Sequence, residues 1–251
     1  MKDWPEGYGR VVLERVSSTL DEAARRAPET PGAFWVLAHH QTVARGRRGR
    51  AWVMPVGNFA ATLLLHPTEQ PGVAALRSFV MSLALYRAFV DVTGEPDAFT
   101  LKWPNDVLLN GGKVAGILLE SAGQGGQMGP LAIGVGVNLI AAPEASEVEA
   151  RAIAPVSLKG ETGAEVGPEG FLAVLAGHYA VLEAQFTNFG FAPIRTAWLA
   201  HAARLGQPIV ARTGREEIAG TFEDVDADGN LMLRTSRGLR AIAAADVFFN
   251  P

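Results

Sequence analysis

The chain has 251 residues, 48% of them hydrophobic, with 22 basic against 26 acidic side chains and a net charge of −4. That suits one large core with room for a small second domain, and the acidic balance argues against a general nucleic-acid binder while allowing a local basic patch. With no cysteine, disulfides, thiolate nucleophiles and cysteine-ligated metals are excluded, which fits a reducing cytoplasm; no apolar run reaches the about 18 residues of a membrane span, and the N-terminus lacks an apolar signal core.

In chain order, residues 10–16 read as a strand punctuated by Ser17-Ser18-Thr19. Thr19 with Glu22 three residues later is a capping-box pattern, so a helix is expected from there to Pro28. Residues 33–40 read as a buried strand, followed by Gln41-Thr42-Val43-Ala44-Arg45-Gly46-Arg47-Arg48-Gly49-Arg50-Ala51-Trp52. Four arginines in six residues, interleaved with two glycines, make neither an amphipathic helix face nor a packed strand, so a loop is expected. Such a loop suits a solvated turn, a nucleic-acid contact or a mobile clamp on an anionic ligand, since glycines let the backbone approach and guanidinium forks bind carboxylate or phosphate. A strand over 58–66 and a core helix over 73–92, apolar around much of its circumference, follow.

Residues 99–103 read as a strand that leaves its ladder at Pro104, with Asn105 and Asp106 beyond its end. A strand over 107–109 turns at Asn110-Gly111-Gly112, a hairpin signal, and returns from Lys113. A lysine, a carboxylate and an amide so close together are what phosphates bound with a divalent cation need; the same stretch also reads as an ordinary hairpin with solvated polar ends. A flexible connector over 122–129 leads to a strand over 131–140, where Gly134-Val135-Gly136-Val137-Asn138 leaves room for a ligand or marks a bulge. Residues 141–168 read as a long connection with little structure of its own. Helices are expected over 171–186 and 192–203, then short strands over 209–212, 217–224, 231–234, 239–243 and 247–249 that suggest a small β-barrel. There is no G-x-S-x-G elbow and no P-loop. His39 and His40, as strand neighbours, point to opposite faces and read as structural.

Taken together, residues 41–52, Lys102-Trp103-Pro104-Asn105-Asp106, residues 113–120 and Gly134-Val135-Gly136-Val137-Asn138 resemble the successive signatures of biotin protein ligases, in order and over nearly the whole chain. Two positions depart from the family pattern: Leu20 stands where Asn is usual, and Ala44 replaces the first glycine of the G-R-G-R-x-G loop. The resemblance implies an α/β fold, with a mixed-sheet catalytic domain over 1–204 and an SH3-like barrel over 205–251. It implies a two-step, ATP-dependent reaction that forms biotinyl-5′-AMP and then transfers biotin to a lysine of a biotin carboxyl carrier protein.

Within that resemblance Lys113 and Arg47 are the catalytic pair, placed between two anions that repel. Ser18, Thr19, Gln41, Arg45, Gly46, Gly116, Leu118, Gly134 and Gly136 join them in holding biotin. Arg50, Trp52, Asn105 and Asn138 join them around ATP, and Asp106 takes Mg2+. The arginine loop would order over the adenylate and exclude water. The barrel would serve ATP handling and carrier docking more than biotin binding. The resemblance further implies a cytoplasmic enzyme without a DNA-binding helix-turn-helix, with no DNA or membrane partner and a homodimer left open. The alternatives are a lipoate or octanoate ligase, whose R-R-x-S-G-G-G loop is absent, and a non-catalytic nucleic-acid-binding relative, which the acidic charge disfavours.

Overall fold

The computed structural model describes residues 3–121, 128–144 and 153–249. Strand β1 (Tyr8–Val16) runs parallel to β2 (Ala33–Gln41), and helix α1 (Thr19–Arg26) connects them. Ser18 caps α1, its hydroxyl accepting from the Leu20 N–H at 3.2 Å, one residue before the cap expected at Thr19. Asp21 and Glu22 in the first turn and Arg25 and Arg26 in the last complement the helix dipole. The remaining strands of the sheet are β3 (Phe59–Leu65), β4 (Phe99–Lys102), β5 (Asp106–Leu109), β6 (Gly112–Ser121) and β7 (Leu131–Val137). They pair antiparallel in the order β1-β2-β3-β7-β6-β5-β4, so the sheet is mixed, as expected.

The interior strand β3 is buried along its whole length, which is why Phe-Ala-Ala-Thr-Leu-Leu-Leu shows no alternation: both its faces are covered. Trp35, Leu37 and Leu63 face a core shared with α3 (Arg77–Thr93) and α5 (Pro168–Phe189), whereas Val36 and Leu64 face Ala23 of α1 and Ala27 just after it. The expected 73–92 helix is split at Leu76, between a short α2 (Pro71–Ala75) and α3, which ends at left-handed Gly94. The apolar stretch Pro71–Thr93 is long enough to cross a membrane, but 72% of its most apolar window is buried inside the molecule, so it serves as a core element.

Part of the 141–168 stretch departs from the expectation of a structureless connection. Lys113 N–H donates to Ala154 O at 2.8 Å and Val156 N–H to Lys113 O at 3.0 Å, and Ser157 caps a short α4 (Leu158–Thr162). Residues 145–152, and 122–127 of the expected connector, lie outside the described residues.

After α6 (Phe191–Leu199) come β8 (Pro208–Arg212), β9 (Glu217–Val225), β10 (Leu231–Thr235), β11 (Gly238–Ile242) and β12 (Asp246–Phe248). They form an antiparallel sheet in the order β11-β10-β9-β8-β12, a β-rich C-terminal region whose ladder ends at β11 and β12. Its β9–β10 turn braces the first sheet: Gly229 O accepts from Trp103 Nε1 at 3.0 Å, and a side chain at Gly229 would come within 2.7 Å of Leu76. Arg195 of α6 binds Asp224 and Val225 O at the other end of the same contact.

Candidate active site

Helix α1 is only eight residues long, and beside it on the same face of the sheet lies a cavity of about 450 Å3. The glycines of β6 and β7 form its floor. A Cβ at Gly136 would stand 2.6 Å from the Trp52 indole, one at Gly116 3.3 Å from it, and one at Gly134 3.0 Å from Leu20. These glycines therefore let Trp52 and Leu20 lie flat on the strands. They mark no bulge, because the β6–β7 register runs unbroken through Gly116↔Gly136 and Leu118↔Gly134.

One end of the cavity is neutral and polar. The Thr19 N–H and hydroxyl both lie on Gln41 Oε1, at 2.7 and 3.1 Å, and Thr62 donates to the Thr19 hydroxyl at 2.9 Å. Ser18 and Thr19 are buried there at the start of α1. This end offers hydroxyls and an amide with no net charge.

The other end is cationic. Lys113 Nζ lies 2.7 Å from Asp106 Oδ1, an ion pair rather than an aligned hydrogen bond, and Lys102 Nζ is 3.4 Å from Oδ2. Burial pushes the Lys102 ammonium down despite Asp106. Burial works against the Asp106 charge as well, but Lys113 and Lys102 more than offset it and hold the carboxyl below its usual range. Arg47 donates to Asn105 Oδ1 and to Ala245 O, both at 3.3 Å, and burial lowers its guanidinium too. Asn105 in turn donates to Ile117 O at 2.6 Å. Lys113 also sits 5.6 Å from the Trp52 ring centre, joining the cationic end to the floor.

The arginine loop bridges the cavity and the C-terminal sheet. It closes on itself through Gly46 N–H to Arg50 O at 2.7 Å, around a short turn in which Arg48 and Gly49 take φ of 58° and 72°. Arg48 and Arg50 reach Asp246 at 2.7 and 2.9 Å, where Arg212 joins them at 3.3 Å. Arg45 is held by Glu120, with two contacts of 3.0 and 2.8 Å, and by Asp21 at 2.8 Å. The loop is thus tied down by carboxylates on α1, β6 and β12.

The cavity lining brings together the expected residues Ser18, Thr19, Gln41, Arg45, Gly46, Arg47, Arg50, Trp52, Asn105, Asp106, Lys113, Gly116, Leu118, Gly134, Gly136 and Asn138. Several of them are held by the protein itself, among them Arg45 by its carboxylates and buried Asn138, whose amide donates to Val156 O at 3.1 Å and accepts from Asn58 at 3.5 Å. Sequence reasoning missed Lys102, although its i,i+4 spacing to Asp106 was a signal, and it missed Asp246, for which no local signal exists. His39 sits 3.6 Å from Glu169 and does not line the cavity. Among the described residues no group of three or more His, Asp or Glu side chains could hold a metal.

Residues 12–138 match the Biotin/lipoate A/B protein ligase family, and residues 205–250 match the Biotin protein ligase C terminal domain. The chain is 55% identical over 238 residues to the biotin–[acetyl-CoA-carboxylase] ligase of Paracoccus denitrificans, covering 95% of this chain and 99% of that one. It is 29% identical over 238 residues to the bifunctional ligase/repressor BirA of Bacillus subtilis, covering 94% and 71%. Among solved structures, the biotin protein ligase from Aquifex aeolicus in complex with biotin and ATP superposes with a TM-score of 0.82 at 24% identity, covering 95% and 98% of the two chains.

Proposed function

Because the chain belongs to the Biotin/lipoate A/B protein ligase family, we infer that it is an ATP-dependent biotin protein ligase. The observation that carries this reading is the polarity of the cavity, neutral hydrogen-bonding groups at one end and an excess of cations at the other. The lipoate alternative is not favoured, since the 55%-identical relative is a biotin ligase and residues 205–250 match the biotin ligase C-terminal domain.

The neutral end, with Ser18, Thr19 and Gln41, suits the uncharged ureido ring of biotin, and the glycines let the side chains that flank its bicycle lie close to the strands. The valerate chain then points its carboxylate toward Lys113 and Arg47. That carboxylate must approach an α-phosphate that is itself anionic, and two unit charges about 4 Å apart repel by about 4 kcal/mol at an effective dielectric of 20. Cations fixed in advance offset this repulsion without reorganising during the reaction. A carboxylate oxygen bonds to the α-phosphorus, the bond from that phosphorus to the β-bridging oxygen breaks, and pyrophosphate leaves. In the second step a lysine amine of the acceptor attacks the acyl carbon, AMP leaves with the electron pair, and the amine loses its proton. Between the steps the arginine loop shields the mixed anhydride from water. Trp52 and Arg50 serve the nucleotide half of the cavity.

Magnesium enters as the companion of ATP, but the donor set does not fit the expectation that Asp106 binds it. Both oxygens of Asp106 face lysine ammoniums, and among the described residues the other carboxylate lining the cavity, Asp246, faces three arginines. No step is therefore routed through a protein-held metal. We take residues 1–204 as the catalytic part and 205–251 as the part that completes the ATP side. The acceptor is a biotin carboxyl carrier protein, and the compartment we propose is the cytoplasm.

Mass spectrometry of the protein under non-denaturing conditions, after incubation with biotin and MgATP, tests this reading. Retained biotinyl-AMP is the expected result, with no acyl-AMP formed from lipoate. A lipoyl adenylate, or no adenylate at all, would overturn it.

A further inference from the structure

The ionic contacts of Asp106 follow from register. Lys102 and Asp106 are direct partners across the β4–β5 pair, so their side chains share one face. Asp106 also pairs with Gly116 on β6, and a Cβ at Gly116 would stand 3.4 Å from Lys113 Cε and Nζ. The Lys113 ammonium thus lies against the bare backbone of Gly116, beside Asp106. Lys102 is 8% exposed, lines the cavity, and has the Phe249 ring 5.9 Å away. Leaving so buried an ammonium unpaired would be costly, and Asp106 is its ionic partner. One carboxylate now serves two lysines with Arg47 close by, which leaves positive charge in surplus where the cavity opens. A divalent cation on the same carboxylate would have to displace both ammoniums and stand among like charges. A polyphosphate would instead complete the cluster.

Resting on the biotin-ligase reading, we propose that Asp106 is a positioning residue rather than a magnesium ligand, and that it holds Lys102 and Lys113 as a two-ammonium seat for the polyphosphate of ATP. Lys102 is then a second phosphate contact beside Lys113. Burial of the Lys102 ammonium and the low carboxyl of Asp106 fit this arrangement.

The test compares wild type, Asp106→Asn and Lys102→Met in biotin-dependent pyrophosphate release, with ATP and Mg2+ titrated separately and a cooperative melt required of each protein. Lys102→Met should raise KM for ATP about 10- to 100-fold, the loss of one charge-assisted contact, while biotin affinity by calorimetry stays within about twofold of wild type. Asp106→Asn should lower kcat/KM for ATP similarly, with the half-saturating Mg2+ concentration unchanged. The double variant should fall short of the product of the single effects, because Asp106 acts in part through Lys102. A half-saturating Mg2+ concentration raised about tenfold or more in Asp106→Asn, with activity recovered at high Mg2+, would overturn the proposal in favour of a metal ligand. Wild-type kinetics in Lys102→Met would overturn it as well. Should Asp106→Asn fail to fold, the ATP and Mg2+ titrations of Lys102→Met decide alone. Were the wild type to make no biotinyl-AMP, the parent reading would fail separately, and calorimetric ATP binding by Lys102→Met, with and without Mg2+, would still decide this one.

Discussion

Arg77 and Lys102 are both buried cations, 3% and 8% exposed, and they differ in the company they keep. Arg77, at the start of α3, holds Glu183 at 2.7 Å and Glu69 at 2.7 Å, lies 5.0 Å over the Phe186 ring, and shares Glu183 with the Tyr179 hydroxyl at 2.9 Å. That cluster has one cation for two carboxylates and lies against α5 rather than along the cavity. Lys102 and Lys113 have one carboxylate between them, Arg47 nearby, and a cavity in front. A buried cation saturated by carboxylates within the fold does structural work, whereas a surplus of cations facing a cavity waits for an anionic ligand.

The comparison breaks first at Arg77. Arg77→Met leaves Glu69 and Glu183 without their cation, and removing one partner of a buried ion pair costs about 3–5 kcal/mol. Urea unfolding should report that loss, while KM for ATP of the protein that remains folded stays at the wild-type value. Unchanged stability together with a raised KM for ATP would mean the two clusters had been assigned the wrong way round.

A smaller effect is expected at Asp246, where the ion pairs are partly exposed. Asp246→Asn should cost about 1 kcal/mol or less in stability but free the arginine loop from β12. Trypsin should then cut after Arg48 or Arg50 more readily, and KM for ATP should rise with biotin affinity unchanged. A loop as resistant as in wild type would show that Asp246 does not anchor it.

The smallest effect is one of pH at the closed cluster. Burial and then Glu183 push the Tyr8 hydroxyl up from 10.0 to about 12. A folded pKa above the unfolded one makes that stability complete below pH 10 and lost as pH rises through about 12. Tyr8→Phe should therefore lose less stability than wild type over this alkaline window in urea unfolding. Parallel curves for the two proteins would place Tyr8 outside the cluster.

What the sequence revealed, and what it hid, divides along the same line. The hairpin was legible because turn chemistry is local: Asn110 and Gly111 take φ of 50° and 82°, as an Asn-Gly turn requires. The departure of the chain at Pro104 and the opening of α1 were likewise written in neighbouring residues. The glycines of β6 and β7 signalled close approach, but the sequence did not say that Trp52 and Leu20 fill the space. Lys102 went unassigned because its part depends on a partner across the strand pair. The anchor of Arg50 on Asp246 lies 196 residues away along the chain, beyond any local pattern. Residues 153–168 looked structureless in composition, and their order comes from backbone bonds to Lys113 and the Ser157 cap.

The central claim is that the cations of the cavity act on the reaction and not on the fold, and Lys113 tests it most directly. Its side chain is 29% exposed beside the hairpin turn, so Lys113→Ala should melt within about 1 kcal/mol of wild type. Biotin-dependent pyrophosphate release should fall by about 10- to 100-fold or more, the loss of one charge-assisted contact and of its share in the transition state. Release close to the wild-type rate in a protein that melts normally would contradict the account.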